Sequence, residues 1–190
     1  MRHSNPRDKA AVQQWARDLY NLPNFYVIDT ETSGVDKSSE VVQIGVIDKY
    51  GDVVIDTLLK PTKRISQQVI NVHGITNEML ATAPALEDLY TTLSIKLSGV
   101  PLIAYNMDFD WRLLQQTFAL RKMPMFRSGT RHCAMKQYAQ FNGKRGKRGY
   151  KWHKLGMAAE QEQVVVKDAH TALGDVRMTL GLIRRMAAED

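Results

Sequence analysis

The stretch that most restricts the fold of this chain is residues 24–34, NFYVIDTETSG, in which an apolar run ends in two acids. The aromatic and β-branched residues 25–28 are typical of a buried strand. Because successive side chains of a strand point to opposite faces, Asp29 and Glu31 share one face and Thr30 takes the other. Two adjacent carboxylates at the end of a buried strand repel each other, and a hard divalent cation would neutralise them. A strand end with two solvated acids is the alternative.

Four further β-rich segments predict a mixed α/β fold. Residues 41–48 and 52–59 flank a turn at Gly51, so with the first strand they predict an antiparallel meander. Two short apolar segments, residues 100–105 and 130–135, predict two more strands, and helical segments lie before and between them. Strands that are linked by helices favour parallel pairing.

Apolar residues at helical spacing predict several helices. In residues 6–22, Val12, Trp15 and Leu19 recur on one side of an amphipathic helix. We interpret this segment as a helix packed on the domain, with a partner-docking helix as the alternative. Other helices are predicted at residues 67–71, 77–81 and 86–97, after residue 106, up to residue 141, at 154–161, and from residue 172 to 188.

A second pair of acids lies at the start of one of these helices. Asn106 can cap the helix, and Asp108 and Asp110 fall in its first turn. Two positions on a helix are about 200° apart, so only one of these acids can face a given site. Compensation of the helix dipole explains the pair without any metal.

A histidine and an acid lie around the start of the last predicted helix, in residues 168–175, DAHTALGD. Five helical positions correspond to about 140°, so His170 and Asp175 would not share a face if both were helical. We therefore infer that Thr171 is the N-cap, that His170 precedes the helix and that Asp175 lies in its first full turn. An isolated surface histidine is the alternative.

The charge of the chain is unevenly distributed. Residues 111–159 contain twelve Lys or Arg and no Asp or Glu, whereas the remainder contains fourteen basic and twenty acidic residues. This asymmetry indicates a polyanionic partner.

The single cysteine, Cys133, excludes a disulfide within the chain and favours a cytoplasmic location. No apolar run is long enough to span a membrane, and the first residues lack the apolar core of a signal peptide.

Three motifs in this order resemble those of the DEDDh 3′–5′ exonucleases. They are Asp29-x-Glu31, Asn106-x-x-x-Asp110 and His170-x-x-x-x-Asp175. Residues 72–76, VHGIT, also resemble the His-Gly-Ile-Thr loop of that family, and the likeness extends over about residues 25–186. Tyr105 departs from the pattern, because many members have His before the Asn. This departure concerns a substrate contact rather than the metal chemistry.

The resemblance implies a fold and a set of site residues. The fold is ribonuclease H-like α/β: a mixed five-stranded sheet, with an antiparallel meander plus helix-linked parallel strands and helices on both faces. Two divalent ions, Mg²⁺ or Mn²⁺, would stabilise the attacking and leaving oxygens of a phosphoryl displacement. His170 would be the base that activates water. The implied metal ligands, which with His170 form the catalytic set, are Asp29, Glu31, Asp110 and Asp175. The implied pocket for the terminal nucleotide is lined by Thr32, Val72, His73, Asn106 and Phe109, although Phe109 fits equally well as a core residue.

We therefore expect an N-terminal helical extension, residues 1–23, and a single exonuclease domain, residues 24–190. The expected activity is metal-dependent hydrolysis from the 3′ end of a nucleic acid, which releases nucleoside 5′-monophosphates. Analogy favours single-stranded DNA. The alternatives are an exoribonuclease for RNA maturation, a non-catalytic nucleic-acid-binding module and a proofreading subunit with a polymerase partner. Because the sequence ends directly after the last predicted helix, we expect an enzyme that acts alone or docks through its N-terminal helix.

Residues 142–150, NGKRGKRGY, predict a basic loop with glycine at every third position. Its cations are predicted to bind nucleic acid, with Tyr150 and Trp152 as stacking faces for unpaired bases. The cations in question are Lys144, Arg145, Lys147 and Arg148. A solvated loop without specific contacts is the alternative.

Overall fold

A computed structural model describes residues 6–147, 149–165 and 171–188, and its strands form a five-stranded sheet and a small ribbon. The sheet strands are β1 (Tyr26–Thr32), β2 (Val41–Asp48), β3 (Val53–Leu58), β4 (Leu102–Ala104) and β5 (Arg131–Cys133). The ribbon strands are β6 (Arg145–Gly146) and β7 (Gly149–Tyr150).

The sheet has the order β3-β2-β1-β4-β5 and is mixed. β1, β2 and β3 form an antiparallel meander, in which Asp29 pairs with Gly45 and Glu31 with Gln43. β4 pairs with β1 in parallel, and β5 pairs with β4 in parallel. The predicted meander followed by helix-linked parallel strands is confirmed.

Eight helices connect and cover these strands within the described residues. They are α1 (Pro6–Asn21), α2 (Gln67–His73), α3 (Asn77–Ala81), α4 (Leu86–Leu97), α5 (Met107–Leu120), α6 (Ala134–Asn142), α7 (Leu155–Gln161) and α8 (Ala172–Ala187). None of the helices in the described ranges is long and apolar enough to cross a membrane.

The alternation of β1 divides the core between the two faces of the sheet. Val27 packs with α1, α6 and α8 on one face, whereas Ile28 packs with α4 and α5 on the other. Val12 and Leu19 of α1 are buried in the first of these cores, as expected for a helix packed on the domain. Asp29 and Glu31 follow Val27 on the same face of β1, which is the face that α8 covers.

Three local predictions are wrong. Residues 142–150 are not a plain loop, because β6 and β7 pair as a short antiparallel ribbon. The fifth strand ends at Cys133, since Ala134 and Met135 already belong to α6. Asn106 occupies the N-cap position of α5, but its side chain accepts no capping hydrogen bond.

Candidate active site

Three carboxylates converge where β1 approaches the start of α8. Asp29 and Glu31 come from the same face of β1, and Asp175 comes from the first turn of α8. One oxygen atom from each of the three side chains lies within 4.8 Å of the other two. This spacing of oxygen donors suits a hard divalent cation. Sequence alternation therefore places the first two acids correctly, and the fold supplies the third.

Gly45 allows α8 to come this close to the sheet. Gly45 is the cross-strand neighbour of Asp29, and a Cβ atom at this position would lie 2.8 Å from the backbone carbon of Ala172. The start of α8 is also fixed by its N-cap, as predicted, because the Thr171 Oγ1 accepts a hydrogen bond from the Gly174 amide at 3.0 Å. Asp175 is thus positioned by a helix start that rests directly on β2.

Replacing Gly45 with Ala is expected to push the start of α8 away from the sheet. Overpacking of this kind typically costs about 1–3 kcal/mol of unfolding free energy. A displacement of Asp175 by about 1 Å is expected to reduce turnover by up to about 10²-fold. Gly156→Ala is the matched control, because a Cβ atom at Gly156 meets no atom within 4 Å. Equal melting temperatures and rates for the two variants would contradict this role of Gly45.

Asp110 joins the three acids from the opposite side of β1. Its side chain is 4% exposed, and its Oδ1 accepts hydrogen bonds from the Thr30 amide at 3.1 Å and the Thr30 hydroxyl at 2.9 Å. Asp108 is instead exposed and pairs with Lys136 at 2.6 Å. The rotation along the helix therefore predicted correctly that only one of these two acids faces the site.

The pKa values of three of the four acids are raised in the absence of a cation. Burial, followed by the Asp175 and Asp110 carboxylates, raises the pKa of Glu31 to about 7. Burial raises the pKa of Asp110 to about 7, although the hydrogen bonds from Thr30 oppose the shift. The pKa of Asp29 is raised well above its ordinary value by burial and then by Asp110, Asp175 and Glu31. Repulsion among these partly buried carboxylates fits a site that a divalent metal would neutralise.

The acids open into a small cleft of about 170 Å³. The Tyr105 hydroxyl donates a hydrogen bond to the His153 carbonyl at 2.7 Å, which ties the end of β4 to the segment before α7. Leu155, at the start of α7, follows this tie and forms part of the cleft wall. The remaining non-acidic wall residues are Thr30, Asn106 and Phe109. Phe109 is therefore at the site as well as beside the core.

The other three residues of the predicted nucleotide pocket lie outside this cleft. The His73 ring is buried and its Nδ1 accepts the Ile75 amide at 3.0 Å, while burial lowers the pKa of the imidazole. It lines a separate cleft of about 370 Å³ that also includes Thr171. The Thr32 hydroxyl donates to the Gly34 carbonyl at 2.8 Å, and Val72 is largely exposed.

The basic ribbon is partly engaged by the rest of the protein. Arg145 lies 4.0 Å from the centroid of the Tyr150 ring and 3.8 Å from an Asp8 oxygen, and the Tyr150 hydroxyl donates to Asp8. Arg145 therefore covers one face of Tyr150, which removes a predicted stacking surface. Lys144 and Lys147 are exposed. The predictions for Arg148 and His170 lie outside the described residues.

Sequence reasoning missed three residues of the site. Thr30 was assigned only to the opposite face of β1, yet it holds Asp110 by two hydrogen bonds. Leu155 gave no signal beyond its place at a helix start. Tyr105 stood out as a departure from the family pattern, and that departure was the one signal that could have indicated its role.

Comparisons with known proteins agree with this geometry. The model of a family described as RNase_T, exonuclease, matches residues 26–183. The uncharacterized exonuclease CP81 of Escherichia phage 186 is 41% identical over 94% of this chain and 95% of its own length. The DNA polymerase III subunit epsilon of Treponema pallidum is 28% identical over 93% of this chain and 82% of its own. Exonuclease X, solved in complex with 5′ overhanging duplex DNA, is 27% identical with a TM-score of 0.61, over 85% of this chain and 90% of its own.

Proposed function

Because this chain belongs to the RNase_T exonuclease family, of the DEDDh type and with a ribonuclease H-like fold, we propose that it removes nucleotides in the 3′–5′ direction. The observation that supports this most directly is the convergence of Asp29, Glu31 and Asp175 within 4.8 Å of one another, with Asp110 at the same cleft. Hydrolysis would release nucleoside 5′-monophosphates, and single-stranded DNA is the proposed substrate.

We propose that Asp29, Glu31, Asp110 and Asp175 hold two divalent ions, Mg²⁺ or Mn²⁺. When bound, such ions supply positive charge to the attacking and leaving oxygens of an in-line phosphoryl displacement. The protein's own contribution is to fix the acids in place. Thr30 directs Asp110 by two hydrogen bonds, and the Thr171 cap fixes the turn that carries Asp175. Asn106 and Phe109 would position the sugar and base of the terminal nucleotide at the cleft wall.

We assign the general base to His170. An imidazole with an ordinary pKa near 6.5 can accept a proton from the attacking water at neutral pH. The support is its place in the third sequence motif, five positions before Asp175. We propose that Thr32, Val72 and His73 also contact the substrate. Of these three, His73 lines the neighbouring cleft together with Thr171.

Among the described cations of the NGKRGKRGY segment, we propose that Lys144 and Lys147 contact the nucleic-acid backbone, and the same role is proposed for Arg148 from the sequence. Arg145 is already stacked on Tyr150 and paired with Asp8, so its contribution is expected to be smaller. Changing both lysines to Ser should make the slope of log affinity against log salt less steep by about 1.4, at about 0.7 per phosphate contact. An unchanged slope with a long single strand would exclude these contacts.

The relatives also suggest partners. One of them is a polymerase III subunit, so a polymerase is a proposed partner in addition to nucleic acid. Cys133 is a free cysteine, in agreement with the cytoplasmic location proposed from the sequence.

Digestion of end-labelled substrates tests the proposal. Single-stranded DNA, duplex DNA and RNA, labelled at either the 3′ or the 5′ end, should be incubated with Mg²⁺ or Mn²⁺. A 3′ label should be released at once as a mononucleotide, whereas a 5′ label should appear in a ladder of shortening products. Release of the 5′ label first, or internal cleavage, would contradict the proposed direction. Faster loss of RNA than of DNA would support the exoribonuclease alternative.

A further inference from the structure

A cleft of about 510 Å³ lies beside the acidic site, at the carboxyl end of β5. Its walls come from α5, from β5 and from the first turn of α6, and none of its lining residues has a role in the proposed chemistry. Three of its lining residues carry positive charge: Arg112, Arg131 and Lys136. Its volume is in the range of clefts that bind small molecules or pieces of a polymer.

Two of these cations are held in place by aromatic rings. The Arg131 guanidinium lies 4.4 Å from the centroid of the Trp111 ring, and the Arg112 guanidinium lies 5.4 Å from the Phe109 ring. Within the described part of the chain, neither arginine forms an ion pair with a carboxylate. The lining acid Asp108 instead pairs with Lys136. Stacked guanidinium groups lose little freedom on binding and present several N–H donors to an anion.

The start of α6 adds to this positive potential. The first turn of this nine-residue helix contains no acidic residue, and Lys136 lies there. A cation near a helix N-terminus is unfavourable with respect to the helix dipole. Asp108 offsets this cost in the free protein, and a phosphate between Lys136 and the two arginines can take its place.

α5 joins this cleft to the acidic site. Phe109 and Asp110 face the acids, while Met107, Trp111 and Arg112 line the basic cleft. Arg112 stacks on Phe109, so a positive group lies against the wall of the site where cleavage is proposed. A chain that enters the acidic cleft can therefore continue across the first turns of α5.

We propose that the cleft between α5 and α6 binds the phosphodiester backbone of the substrate beyond its terminal nucleotide. This inference rests on the proposed function, because it extends the substrate contact of the same site. Arg112 and Arg131 bind phosphates through their guanidinium groups, and Lys136 exchanges Asp108 for a phosphate. This backbone belongs either to the strand that is cut or to its complementary strand. The experiment distinguishes the two by comparing a single strand with a duplex.

The test measures binding without cleavage. In an Asp29→Asn background, the affinity for a labelled single strand and for a duplex is measured by fluorescence anisotropy over a series of salt concentrations. The Arg112→Gln/Arg131→Gln variant should bind the single strand more weakly than the wild type does. Its slope of log affinity against log salt concentration should be less steep by about 1.4, at about 0.7 per lost phosphate contact. The matched control is Lys96→Gln/Arg185→Gln, which removes the same charge from exposed positions on α4 and α8. Arg131→Lys keeps the charge but not the planar guanidinium group. Its affinity for the single strand should therefore lie between those of the wild type and the double variant.

The outcomes separate the two proposals. If the salt dependence of affinity becomes less steep for both substrates, the cleft binds the backbone of the cleaved strand. If it becomes less steep for the duplex alone, the cleft binds the complementary strand. Equal slopes for the cleft variant and its control overturn the inference, even if the protein proves to be an exonuclease. With Asp29 intact, the cleft variant should lose more activity on a long strand than on a nitrophenyl ester of thymidine monophosphate. If the wild-type protein hydrolyses neither substrate, the proposed function fails, while the binding result still decides the role of the cleft.

Discussion

Asp29→Asn is expected to reduce hydrolysis by at least about 10³-fold. Asp29 is one of three acids whose oxygens lie within 4.8 Å of one another. Burial, followed by the charges of Asp110, Asp175 and Glu31, raises its pKa. A bound divalent metal contributes several kcal/mol to the stabilisation of the transition state, and each 1.36 kcal/mol corresponds to about tenfold in rate. The amide has nearly the same shape as the carboxylate, so the loss should come from the missing negative charge.

The same substitution should stabilise the metal-free protein at high pH. The folded state binds the Asp29 proton more tightly than the unfolded state does, because the pKa of Asp29 in the folded state is raised. The Asp29 carboxyl therefore makes its full contribution to stability below its pKa in the unfolded state, about 4. That contribution is lost as the pH rises toward its raised pKa in the folded state. Asn does not ionise, so the variant does not lose this stability at high pH. In chelator, its melting temperature should be several degrees above that of the wild type at pH 8 and equal to it near pH 4.

Addition of Mg²⁺ or Mn²⁺ should raise the melting temperature of the wild type above that of Asp29→Asn at pH 8, because the ion stabilises the wild type and not the variant. Asp52→Asn is the matched control, since Asp52 is exposed in the β2–β3 turn at the end of the sheet remote from the acids. An Asp29→Asn protein that keeps wild-type turnover, or a wild type that is fully active in chelator, would exclude the proposed metal site.

His170→Ala is expected to lower the rate by about 10²–10⁴-fold, the usual range for loss of a general base. With metal at saturation, the wild-type rate should fall toward acid pH as the imidazole is protonated. This acidic limb should be absent in the variant. Because the imidazole is not a proposed metal ligand, the melting-temperature shift with Mg²⁺ should be unchanged. His3→Ala serves as the control, since His3 lies in none of the motifs. A variant with the wild-type rate and pH profile would mean that another group activates the water.

Much of the sheet could be predicted because its residues follow local rules. Alternation in β1 assigned Asp29 and Glu31 to one face, and helical rotation showed that Asp108 and Asp110 could not share a site. The Thr171 cap of α8 could be read from the same kind of local pattern. These features depend on residues a few positions apart, which is the range over which sequence periodicity is informative.

The features that depend on distant contacts could not be predicted. The ribbon forms where a loop was expected, and its Tyr150 and Arg145 meet Asp8 of α1, from the other end of the sequence. The need for glycine at position 45 becomes clear only when α8 is seen to rest on β2. The basic cleft likewise requires α5, β5 and α6 to be in place together.

The contact between α8 and β1 also bears on how the protein is made. Asp29 leaves the ribosome before Asp175, which follows on the order of 10 s later at typical elongation rates. In the interval β1 has no α8 to cover its face, and three of the acids lack their partner. A nascent chain therefore cannot complete the proposed metal site until α8 has docked. Synthesis itself delays nuclease activity until the domain is whole.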